Sequence, residues 1–244
     1  MESFLTQHQR GHIRLRGLVL VPANSEMELT ETIRRYNAAG VPVINVDIPI
    51  NPEALSRSGA RVASFIGSNN VLGGEKAAEV LSAQLPKGGE VLLLMGAAGS
   101  ANTRDRRNGF VNRLNAISSA SGIKYSVKEW TANWNKAEAL SATDSLLAGG
   151  TSLAGIFAEN DLMALGAAQA VASAQLGSRP KPIIVGYDAI PDAVKAVHDG
   201  AIYATISQNP AIMGKKSIEY LQRITKGEAV PAREIIPVAG VTRQ

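Results

Sequence analysis

The sequence predicts an α/β protein built on parallel, doubly wound sheets. Two observations predict it. Short apolar runs without polar alternation, such as residues 17–21 (GLVLV), 91–95 and 153–158, have the character of strands buried on both faces. Between them lie helical stretches closed by glycine or proline. Strands separated by helices of that length imply parallel pairing through right-handed crossovers.

The elements follow in order. Residues 17–21 form the first expected strand, and 26–39 a helix stopped by Gly40. Residues 41–46 are a strand followed by Asp47, and 61–66 another. A helix over 70–85 ends at Pro86, Gly88 and Gly89. The alternation then repeats: strand 91–95, helix 103–116, strand 124–129, helix 136–148, strand 153–158, helix 161–173, strand 182–187, helix 191–198, strand 202–207 and helix 211–226. Residues 235–238 form a last strand.

Composition narrows the function. The chain has 244 residues, 45% hydrophobic and 19% charged, values of an ordinary globular protein with a substantial core. Its formal charge of +4 is mild, and beyond Arg10, Arg14 and Arg16 there is no basic stripe of the kind that binds nucleic acid. No window approaches the roughly 20 unbroken apolar residues of a membrane span. Cysteine is absent, which removes thiol nucleophiles, thiolate metal sites and disulfides but leaves the compartment open. Residues 1–16 contain no apolar stretch of signal-peptide length. His8, His12 and His198 show no metal spacing, and Gly96 and Gly99 fit neither the dinucleotide nor the P-loop pattern. No metal, cofactor or catalytic residue is expected.

In doubly wound sheets, ligands bind beyond the carboxyl ends of the strands. Here those positions are unusually polar: Asp47, Ser68 and Asn69, Arg104, Trp134 and Asn135, Asn160 and Asp161, Asp188, and Gln208. Carboxylates, amides and an arginine supply the paired donors and acceptors that sugar hydroxyls need. An aromatic face covers the apolar C–H face of a sugar ring. The duller account of Asn160, Asp161 and Asp188 is helix capping, and of Arg104, Asp105, Arg106 and Arg107 a solvated helix face. Of these arginines, Arg104 is the expected ligand. Trp130 is expected to pack, and Trp134 to stack on ligand.

The segments FIGSNNVLGGEKAAEVL, GAAGSANTRDRRNGF, IFAENDLMALGAAQA, IIVGYDAIPDAVKAVHDG and TISQNPAIMGKKS resemble the ribose-binding-protein branch of type I periplasmic binding proteins. Their order and spacing from Gly17 nearly to the C-terminus make the likeness specific. The resemblance implies a two-lobed periplasmic binding protein type I fold, with the chain crossing a hinge near Ser68, Gln208 and Pro237. Lobe one would be residues 1–68 plus 209–236, and lobe two 69–208 plus 237–244. It implies a monosaccharide or related polyol bound between hinged lobes, an ABC permease as membrane partner, a periplasmic location and a monomer. Asp47 would accept sugar hydroxyls, Ser68 would add a hydroxyl at the hinge, Arg104 would donate, and Trp134 and Tyr187 would stand at aromatic positions. Asn160, Asp188 and Gln208 would complete the polar set.

Departures put ribose itself in doubt: Val21 stands where a ligand asparagine is common, and Trp134 and Tyr187 replace phenylalanines. The family also has two βα units before the strand at residues 17–21, whereas sixteen residues precede it here. A strand with its crossover helix needs more than roughly a dozen, so the first lobe is expected to be incomplete, with residues 1–16 a poor core helix. The strand at 17–21 would then lie exposed at a sheet edge. The alternative function is the effector-binding domain of a LacI-type transcriptional regulator lacking its DNA-binding headpiece. An enzyme using Asp47 and Asp188 has no nucleophile motif to support it.

Overall fold

The computed structural model describes residues 2–22 and 26–243; Met1 and Gln244, the outer bounds of the expected lobes, fall outside that range. The chain divides into two compact units, Met1–Ser68 with Asn209–Ile236, and Asn69–Gln208 with Pro237–Gln244.

The smaller unit carries a four-stranded parallel sheet of order β1-β2-β3-β9, from β1 (Leu18–Leu20), β2 (Val43–Val46), β3 (Ser64–Ser68) and β9 (Arg233–Ile236). One face packs Leu5 of α1 (Glu2–Gln9), Ile33 and Tyr36 of α2 (Glu26–Ala38), and Val43. The other packs Ile44, Val46 and Ile66 against Met213 and Tyr220 of α9 (Pro210–Thr225). Two expectations are corrected. Residues 1–16 do supply a core helix, because Leu5 is 1% exposed although its neighbour Phe4 is outward. The first strand is shorter than the expected 17–21 and not buried on both faces, since Val19 is exposed; it does lie at the edge of the sheet, as expected.

Helix α3 (Pro52–Ser58) is an addition to the expected elements, although its signals are present in the sequence. The Asn51 side chain accepts from the Glu53 and Ala54 backbone N–H groups, Pro52 occupies the first turn, and Gly59 closes the end in the left-handed region.

The larger unit holds a six-stranded sheet of order β10-β8-β7-β6-β4-β5. Its strands are β4 (Gly89–Met95), β5 (Tyr125–Thr131), β6 (Leu153–Ala158), β7 (Ile183–Asp188), β8 (Ala204–Ser207) and β10 (Ala239–Thr242). Successive side chains of β4 alternate between faces. Val91 and Leu93 meet α4 (Asn70–Ala83) and α5 (Ala101–Ser121) through Leu81, Phe110 and Leu114. Leu92 and Leu94 meet α6 (Lys136–Ala148), α7 (Asp161–Ser173) and α8 (Pro191–His198) through Ala139, Met163 and Ala193. The single strand expected at 235–238 is two strands. β9 joins the smaller sheet, and β10 runs antiparallel to β8 in the larger one, so this sheet is not wholly parallel.

From β4 the chain steps outward to β5, then returns to β6 on the other side of β4. The order therefore reverses between β4 and β6, and the crevice beyond their carboxyl ends is where such sheets take ligands.

Candidate functional site

At that reversal the larger unit gathers a polar and aromatic cluster around Arg106. On α5 the buried residues are Asn102, Thr103, Arg106, Gly109, Phe110 and Leu114, spaced as one inward face of a helix. Arg106 is 3% exposed. Its Nε donates to Asn70 Oδ1 at 2.8 Å and its Nη1 to the Glu159 backbone carbonyl. The guanidinium lies 3.8 Å from the Tyr187 ring centroid and 5.6 Å from that of Trp134. Its Nη1 is 3.9 Å from Asp188 Oδ1. A buried cation held by neutral acceptors, two aromatic rings and a partly exposed carboxylate is a fixed bundle of hydrogen-bond donors.

The expected ligand arginine, Arg104, lies outside this cluster. Its side chain is 66% exposed and pairs with Asp105 at 2.9 Å. The reason is helical phase: residues two apart point to nearly opposite sides of a helix, so Arg104 and Arg106 cannot share a face. Spacing from Phe110 could have found Arg106, four residues upstream on the buried stripe.

Trp134 lies beside the guanidinium, seated on Gly96. A Cβ built at Gly96 would come within 2.0 Å of the indole ring, so only glycine admits the ring there. Asn133 and Trp134 both adopt left-handed backbone. Trp130, expected to pack, is instead exposed on edge strand β5. Tyr187 is fully buried beneath Arg106, and its hydroxyl lies 3.4 Å from Asn70 Oδ1. It is a support for the guanidinium rather than an open stacking face.

Asn160 caps α7, its Oδ1 accepting from the Met163 N–H at 2.9 Å, while its Nδ2 reaches the Trp134 carbonyl at 3.4 Å. Asp188 keeps about a quarter of its side chain exposed (28%) and accepts from Gln208 Nε2 at 2.6 Å. Arg106, Trp134, Asp188 and Gln208 thus stand together, with Tyr187 and Asn160 behind them.

Two buried acids lie under this surface: Glu159, which sequence reasoning did not single out, and Asp161, which it named as a strand-end polar residue or helix cap. Glu159 is fully buried, with Oε2 accepting from the Gly96 N–H at 2.8 Å and Oε1 without a hydrogen-bond partner. Burial pushes its carboxyl up to about 8, against the opposing pull of the Gly96 N–H, Arg106 and Arg107. Asp161, also fully buried, is pushed up by burial to about 7 despite accepting from Thr205 and the backbone of Ile190. Among the described residues no group of three or more His, Cys, Asp or Glu is placed to hold a metal ion.

In the smaller unit, Asp47 follows β2 and Ser68 ends the adjacent strand β3, at the same end of the sheet. Asp47 has a left-handed backbone, and its N–H donates to Ile66 O at 2.9 Å. Buried Asn45 braces the turn beyond it, donating to Ile48 O at 2.9 Å and accepting from the Ile50 N–H at 3.1 Å. Val21 is exposed.

Comparison with known proteins agrees with this architecture. A family model described as a periplasmic binding protein domain matches residues 1–229. The D-allose-binding periplasmic protein of Escherichia coli K12 is 34% identical over 218 residues, covering 88% of this chain and 68% of that protein. The ribose import binding protein RbsB of the same organism is 32% identical over 228 residues, covering 93% of this chain and 71% of that protein. An ABC transporter periplasmic solute-binding protein from Actinobacillus succinogenes 130z, solved with bound D-allose, superposes with a TM-score of 0.86 at 27% identity. That superposition covers 99% of this chain and 82% of that one. With a doubly wound two-unit fold and a donor–acceptor cluster at the strand reversal, the chain belongs to the periplasmic binding protein family and is a type I sugar-binding protein of the kind that serves ABC importers.

Proposed function

We propose that this chain binds a monosaccharide or related polyol for an ABC importer and performs no chemical step on it. The observation that carries this reading is the buried Arg106 guanidinium flanked by Trp134 and Asp188. A guanidinium only donates and an ionised carboxylate only accepts, so together they read neighbouring hydroxyls. The indole face covers the C–H face of the ring. Gln208 both orients Asp188 and adds an amide to the set. Asp47 and Ser68 of the smaller unit supply a further acceptor and a hydroxyl, as the family resemblance implies. The names of the allose- and ribose-binding relatives support an aldose as the first ligand class to try.

The same reading assigns the protein to the periplasm, as a monomer with a membrane permease as its partner and no nucleic-acid contact. No helix among the described residues is long and apolar enough to cross a membrane.

A thermal-shift screen of pentoses, hexoses and polyols tests this. A ligand that binds only the folded state at 100 times its Kd adds about 2.7 kcal/mol of stability, a rise of several degrees in Tm. D-allose or D-ribose is expected to give such a rise. No shift with any pentose, hexose or polyol at millimolar concentration would sink the reading.

A further inference from the structure

Asp188 sits on an unusual piece of backbone. Its φ is 113° and that of the next residue, Ala189, is 56°. Neither residue is glycine, and two successive residues in the positive-φ region are held only when the surroundings over-determine them.

The restraint is visible. Thr205, fully buried in the neighbouring strand β8, accepts from the Ala189 N–H at 3.2 Å and donates to Asp161 Oδ1 at 2.7 Å. The other carboxylate oxygen, Asp161 Oδ2, accepts from the Ile190 N–H at 2.8 Å. Asp161 therefore ties the first turn of α7 to the turn after β7 and to β8. It comes close to β7 only because Gly186 has no side chain: a Cβ there would lie 2.3 Å from Asp161 Oδ1. Helix capping does not explain this arrangement, since the cap of α7 is Asn160.

We propose that Asp161 and Thr205 are positioning residues for sugar recognition, which hold the Asp188–Ala189 turn in its strained form and so aim the Asp188 carboxylate at the ligand. The proposal rests on the reading of Asp188 as a ligand group. Removing the clamp releases the turn to relaxed backbone, and the carboxylate then swings away from Arg106 and Gln208. The Thr205 hydroxyl is the link that can be deleted with least change of shape, because valine has the same outline.

The test uses the full chain with Thr205→Val, Thr205→Ser and Asp161→Asn. Amide hydrogen exchange is read residue by residue, and D-allose and D-ribose binding by calorimetry. Thr205→Val and Asp161→Asn are expected to speed exchange at Ala189 and Ile190 by about tenfold or more relative to the amides of β6. Affinity should fall by about tenfold or more, while Thr205→Ser keeps both near the unsubstituted values. In an Asp188→Ala background, Thr205→Val should cost little further affinity, because the two residues act through one carboxylate. Exchange at Ala189 and Ile190 that changes no more than in β6, or affinity that holds although exchange quickens, overturns the proposal. If the unsubstituted chain binds neither sugar, calorimetry uses the sugar or polyol that the thermal-shift screen finds; if none binds, the reading of Asp188 as a ligand group fails, and the exchange measurement still decides whether Asp161 and Thr205 hold the turn.

Discussion

Arg106 and Arg104 differ by two positions and by nearly everything else. One is buried against Tyr187 and Trp134, and the other is two-thirds exposed beside Asp105. A charged hydrogen bond is worth about 1.5–3 kcal/mol, and every 1.4 kcal/mol is a factor of about ten in Kd. Arg106→Ala should therefore weaken sugar binding by at least about tenfold, and Arg104→Ala by less than about twofold, since exposed pairs contribute little. Calorimetric titration of the two variants checks this; the reverse order would return the site to the outer face of α5. The residue types were legible in the sequence: an arginine after β4, a tryptophan after β5 and an aspartate at the end of β7. Which arginine was not settled by looking at strand ends. It required the phase of α5 relative to Gly109 and Phe110. That phase follows from where the helix begins, which the sequence pattern suggests at Thr103 and the structure places at Ala101.

Helices α4 and α5 cross through glycine. A Cβ at Gly74 would lie 2.1 Å from the Arg106 carbonyl oxygen, and one at Gly109 would lie 2.0 Å from the Val71 carbonyl oxygen. These neighbours are backbone and cannot rotate aside. Gly109→Ala should force the helices apart and cost roughly 1–3 kcal/mol, seen as a lower urea midpoint. It should also move Arg106, one turn away on the same helix. Gly214, inside α9, has open space around it, so Gly214→Ala should stabilise by roughly 0.5–1 kcal/mol. Equal urea midpoints for the two variants would show that the crossing is not set by Gly109. At this scale the sequence was informative about α6, α7 and α8, whose starts and stops carry clear signals, and less so about α1 and α3. Helix α1 reaches the core through Leu5 while its other apolar residue, Phe4, faces outward; that is a tertiary contact and leaves no periodic pattern. The last strand was divided by the passage of the chain from one unit to the other at Pro237, which hydropathy does not register.

The stability of the whole molecule carries the imprint of its buried acids. Glu159 has an ordinary carboxyl value of 4.5 and is held at about 8 in the folded protein. The folded state therefore binds its proton more tightly than the unfolded chain. Its favourable contribution is fully present below about 4.5 and is lost as the pH rises through about 8. Each pH unit between those two values corresponds to about 1.4 kcal/mol, so the loss is on the order of a few kcal/mol. Asp161 acts in the same direction, from 3.8 to about 7. Glu159→Gln removes one of these titrations while keeping an acceptor for the Gly96 N–H. Its Tm should match that of the unsubstituted protein near pH 5 and exceed it by several degrees near pH 8. Parallel Tm curves across that range would mean that Glu159 is already ionised in the fold.

The amino-acid sequence by itself determined the α/β class, the alternation of apolar runs and helices, and the polar character of the strand ends. Those properties are local: they depend on side-chain period, on glycine and proline stops, and on which residue follows a strand. Only the tertiary structure decided that Arg106 rather than Arg104 faces the cluster, that Tyr187 lies beneath it, and that Glu159 and Asp161 are buried under the site. The physical reason is that burial and partnership are made by neighbours far away in the chain. Glu159 meets Gly96 and Asp161 meets Thr205 across separations of 63 and 44 residues, and no local pattern encodes such meetings.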